Sequence, residues 1–149
     1  MTRLILAAVI GLATALPAAA QFRNAEHAIK YRQGVMQMQA FHFGRISAMA
    51  SGRMPFDAKV AAEDAALLDT IDKLPFVAFI DGSDMGGNTR AKPEIWKERA
   101  KFDAAAVKLQ QEVAKLNAAA KTGSLDAIKG AVGGVGQSCK GCHDDYQAK

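Results

Sequence analysis

Cysteine is scarce in this chain of 149 residues: there are two, Cys139 and Cys142. A structural zinc site would have to draw both of its remaining ligands from His27 and His42, which show no finger-like spacing. Alternation of apolar and polar residues is lacking, and with it the βαβ pattern that usually accompanies a redox dithiol. Charge of one sign is lacking too. The 19 Lys and Arg and 15 Asp and Glu give +4 and interleave along every segment, which describes a solvated surface and not a nucleic-acid face. No nucleophile–base pair or carboxylate pair stands at useful spacing, so the chain does not read as an enzyme.

A long apolar run is also missing. Leu4 to Ala15, after the positive start at Arg3, is too short and wrongly flanked for a membrane anchor. Followed by Ala18-Ala19-Ala20, it reads as a secretory signal over residues 1–20, cleaved after Ala20. The remaining 21–149 form one domain with 18 basic and 15 acidic side chains, a charge of +3. The signal is of bacterial type, which places the mature protein in the periplasm.

What is present is concentrated near the C-terminus, in Cys139-Lys140-Gly141-Cys142-His143. Two cysteines three apart with an adjacent histidine make the attachment signature of a c-type haem. Each thiol can form a thioether with one haem vinyl group, and the imidazole can ligate iron from one face. One haem c is therefore expected, with Cys139, Cys142 and His143 as its holders. A haem-free helical module using Cys139–Cys142 as a redox pair is the reading from another class.

The rest of the chain must bury a flat, mostly apolar disc. Asn24 can cap a first helix running to about Ala50, in which Ile29, Met36, Phe43 and Ala50 repeat every seven residues. Tyr31, Gly34, Met38, Phe41 and Ala48 form a second apolar face, so this helix needs two partners; Met38 and Phe41 are expected in a homodimer contact between first helices. Asp57 can cap a second helix with the stripe Val60, Asp64, Leu67, Ile71 and Leu74, with Leu68 beside it, ending at Pro75. Phe76 to Lys92 reads as a long crossover loop opening on the aromatic pair Phe76 and Phe79, which is expected to contribute to binding the haem.

Pro93 suits the start of a third helix in which Ile95, Arg99, Phe102, Ala106, Leu109, Val113, Leu116 and Ala120 alternate by four and three over about seven turns. Gly123 stops it and Ser124 caps a fourth. There Ile128, Val132, Val135, Cys139, Cys142 and Tyr146 keep the same spacing, which puts both cysteines on the core stripe. The glycines at 130, 133, 134 and 136 would be explained by close approach of haem or a helix, or by a frayed start. The fold class is all-α, an antiparallel four-helix bundle holding a covalently attached haem.

A haem motif at the C-terminal end of a four-helix bundle resembles the cytochrome c′ family. Lys30-Tyr31-Arg32-Gln33, His42-Phe43-Gly44-Arg45 and Pro93-Glu94-Ile95-Trp96 are similar to segments of its bacterial members, and the resemblance spans the chain from Gln21. It implies His143 as proximal ligand, Met36 over the distal face, Arg32 near the haem propionates with Gln33 able to hydrogen-bond there, and a dimer. Gln147 departs from it, standing where members often carry a basic residue.

Met36 leaves two functions open. As a packing residue it leaves iron five-coordinate, able to take nitric oxide or carbon monoxide; as a thioether ligand with His143 it gives a six-coordinate, low-spin electron carrier. Packing is preferred, since a methionine at helical spacing is more often core. Met38, about 200° around the helix, points elsewhere. His42 lies off the Met36 line and reads as a surface or interface histidine.

Overall fold

The structure, a computed structural model, describes residues 21–149; the signal read at 1–20 and its cleavage site lie outside the described residues. The backbone is organised by local caps. Asn24 accepts the His27 amide at 2.9 Å and starts α1, Ala25–Ala50. Asp57 accepts the Val60 amide at 3.0 Å and starts α2, Ala58–Ile71. Ser124 accepts the Ala127 amide at 3.3 Å and starts α5, Leu125–Tyr146. Each cap satisfies a donor that the first helical turn leaves free. Gly123, at φ 70°, makes the left-handed turn into α5 that a side chain would resist.

The third expected helix is two. A short α3, Glu94–Lys97, is followed after one non-helical residue by α4, Arg99–Lys121. The break falls at Glu98, whose φ −116° and ψ 40° leave helical space while its carbonyl still accepts from Phe102 at 3.1 Å. The reason is tertiary: Trp96 on α3 donates through Nε1 to the Ile80 carbonyl at 3.1 Å, which ties this turn to the crossover loop.

The long helices form a square in which α1 packs on α2 and α5, and α4 on α2 and α5. This is an all-α, antiparallel four-helix bundle with α3 as an extra turn. The α2 stripe is rotated from its expected position. Ala61, Asp64, Ala65, Leu68 and Ile71 are buried, whereas Leu74 lies beyond the helix and is exposed. The crossover loop is packed down, with a 3-10 turn at Phe76–Ala78 and with Ala78, Phe79 and Ser83 buried.

Between helices, the glycines of α5 do not mark one close approach. The helix is continuous from Leu125, and Cβ atoms at Gly130 and Gly133 would meet no other part of the chain within 4 Å. At Gly134 a Cβ would displace the Glu112 carboxylate, and at Gly136 it would lie 3.8 Å from Phe43 Cζ.

Candidate haem site

The buried core comes in two pieces. One contains Ile46, Met49, Leu68, Val113, Leu116, Ile128 and Val135, contributed by all four long helices. The other is aromatic: Phe79, Ile95, Phe102 and Tyr146, with Phe102 ringed edge-on by Phe76 at 5.8 Å, Phe79 at 4.8 Å and Tyr146 at 5.3 Å. A single small domain normally has one contiguous core. Here the boundary is where the candidate residues stand. Cys139 packs against the first piece and Cys142, one turn on, against the second. On α1, Phe43 packs against the first piece and Met36 against the second.

The two cysteines form no disulfide with each other and are half-buried. Burial raises the Cys139 thiol; burial, then the neighbouring Cys139 and Asp145, push Cys142 up to about 11. Thiols held neutral in this way are the opposite of an activated redox pair, which depends on a depressed thiol pKa. His143 follows on the exposed side of α5. Among the described residues no three His, Cys, Asp or Glu side chains converge to hold a bare ion. Two thiols and one imidazole beside a divided apolar core therefore fit a macrocycle that brings its own in-plane nitrogen donors and an apolar disc.

Of the other expected residues, Met36 and Phe76 are half-buried and Phe79 buried, all at the aromatic piece. Gln33 donates through Nε2 to the Asn88 carbonyl at 2.6 Å. Arg32 is buried and turned into the crossover loop. Its Nη1 donates to Ser83 Oγ at 2.7 Å and Ala78 O at 3.2 Å, and its Nη2 to Ser83 O at 2.6 Å and Thr89 Oγ1 at 2.8 Å. The guanidinium also lies 4.4 Å from the Phe79 ring centre. Burial lowers it to about 10, against which the nearby Asp84 acts.

Two groups went unread in the sequence. Asp64, taken as a member of an apolar stripe, is a buried carboxylate between α1 and α2. It accepts from Arg45 Nε at 2.6 Å and from Arg45 Nη2, and pairs with His42 Nδ1 at 2.7 Å. His42 is thus half-buried in an ion cluster and not a surface histidine. An acid on α2 facing Arg45 and His42, three residues apart on α1, was the available signal. Asp72, also buried, has an Oδ1 with no hydrogen-bond partner among the described residues.

A helical bundle of this form, with paired thiols and an imidazole on its last helix, defines a c-type haem protein. The family model for cytochrome c′ matches residues 27–147. Cytochrome c′ of Rubrivivax gelatinosus is 53% identical over 129 residues, covering 87% of this chain and all of the relative. Its crystal structure superposes with a TM-score of 0.83 at 52% identity, covering 86% of this chain and 100% of that one. Two solved variants of cytochrome c prime from Alcaligenes xylosoxidans, one a nitric oxide complex and one with carbon monoxide bound, each give a TM-score of 0.79 at 41% identity, covering 86% of this chain and 99% of theirs. The chain belongs to the cytochrome c′ family and carries a covalently attached haem c.

Proposed function

We propose that this is an exported, non-enzymatic haem protein that takes up small neutral gases, nitric oxide and carbon monoxide, at a five-coordinate iron. Cys139 and Cys142 hold the haem, His143 is the proximal ligand and Met36 covers the distal face. The observation that carries the reading is that Met36 and Cys142 pack against one aromatic cluster. The attachment helix and the distal helix therefore meet at the same place. The relatives with nitric oxide and carbon monoxide bound support the choice of ligand.

When bound, the haem would supply an iron able to take up a diatomic ligand. The chain does the rest. Phe76, Phe79 and Phe102, in the cluster that Met36 and Cys142 both pack against, make the surroundings apolar, and Met36, unbranched and flexible, yields space without a backbone change. Arg32 holds the loop bearing Phe79, and Gln33 adds a bond to the same loop. The residues 1–20 direct export to the periplasm and leave 21–149 as the mature domain. Among the described residues no helix is long and apolar enough to cross a membrane. Tyr31, Met38 and Phe41, at 37%, 47% and 65% exposure on α1, form a homodimer face.

Denaturation in acidified organic solvent tests the attachment. Haem should remain with the parent chain and be released in full from a Cys139→Ala, Cys142→Ala double variant. Extraction of haem from the parent would contradict the reading, as would failure of the ferrous protein to bind carbon monoxide.

A further inference from the structure

The last four carbonyls of any helix lack partners within it. At the end of α5 they begin at His143. The His143 carbonyl accepts from the Gln147 amide at 3.1 Å, and the other three all go to one residue of the crossover segment. Lys92 donates its backbone amide to Tyr146 O at 3.0 Å and its ammonium to Asp144 O and Asp145 O, each at 3.0 Å. The flanking Ala91–Gln147 bridge and the Ala148 amide on Arg90 O at 2.8 Å fasten the same junction. The Asp144 carboxylate is occupied by Lys140, so the Lys92 charge addresses the helix end itself.

We propose that Lys92 is the positioning residue of the proximal side, a remote cap that keeps the His143 turn helical and sets a fixed positive charge beside it. This rests on His143 being the iron ligand. A cation at a helix C-terminus opposes the negative end of the helix dipole. One placed on the carbonyls directly after an axial ligand orients that ligand and favours the reduced, less positive centre. Residue 147, on the helix end, is a neutral glutamine and contributes no charge there.

The test uses the haem-loaded full chain with Lys92→Met and Lys92→Arg. In Lys92→Met, amide exchange at residues 143–147 should quicken about fivefold, with α4 amides as internal control, and the reduction potential should fall. Lys92→Arg should restore both. If Lys92→Met does not fold, Lys92→Gln, which keeps an N–H donor without the charge, should still lower the potential. Unchanged exchange or potential in a folded neutral variant, or an arginine variant that behaves like methionine, overturns the proposal. Loss of covalent haem from the parent would instead contradict the attachment reading.

Discussion

Replacing Arg32 by Met keeps most of the side-chain length and removes the guanidinium. Four charge-assisted bonds to the crossover loop would be lost, at about 1.5 kcal/mol each or about 6 kcal/mol together. Burial opposes this: lowering the guanidinium to about 10 reflects roughly 3 kcal/mol against the charged form. The net expected loss is about 3 kcal/mol, and it should fall on the loop, since Ser83 and Ala78 keep buried carbonyls with fewer donors. Urea denaturation of the haem-loaded protein measures the total, and amide exchange across residues 78–90 locates it. Lys at this position should recover only part, because one ammonium cannot reproduce the two-nitrogen fork. A variant within about 0.5 kcal/mol of the parent, with unchanged loop exchange, would refute the assignment of Arg32 to the loop.

Asp64→Asn should cost about 2 kcal/mol at neutral pH by urea denaturation. Although burial pushes the Asp64 carboxyl up, Arg45 and His42 outweigh it and hold it below its ordinary value. Its contribution is therefore complete above the unfolded value near about pH 4 and lost as pH falls through the folded one, so parent and variant should converge in acid. Asp72 has the opposite sign. Burial, then the nearby Asp69, raise its carboxyl, so ionisation costs stability above about pH 4. Asp72→Asn should stabilise the protein by about 1 kcal/mol at pH 7 and by nothing near pH 3. Phe41→Glu should shift the protein from dimer to monomer in light scattering, and a parent that is already monomeric would remove the α1 interface.

What was legible in the chain was local. Asn24, Asp57 and Ser124 could be read as caps because a cap bonds an amide three residues away. The register of Ile128, Val135 and Cys139 on α5 could be read because helical period alone sets a face. What failed was long-range. The Glu98 break follows from Trp96 reaching Ile80, sixteen residues earlier in the chain. Asp64 was hidden because apolar spacing cannot distinguish a carboxylate that has found Arg45 from one that has not. The bonds of Arg32 to Ser83 and Thr89 were equally out of reach, since they depend on how the loop folds back. The divided core was likewise invisible, since each helix stripe is continuous and only the assembled bundle separates Cys139 from Cys142.

The central claim is that Met36 packs over the distal face and leaves the iron without a sixth protein ligand. The ferric absorption spectrum of the haem-loaded protein, set beside that of Met36→Leu, tests it most directly. Both spectra should be high-spin and lack a methionine-to-iron charge-transfer band. A parent spectrum with that band, changing from low to high spin in Met36→Leu, would contradict the account and make the protein a six-coordinate electron carrier.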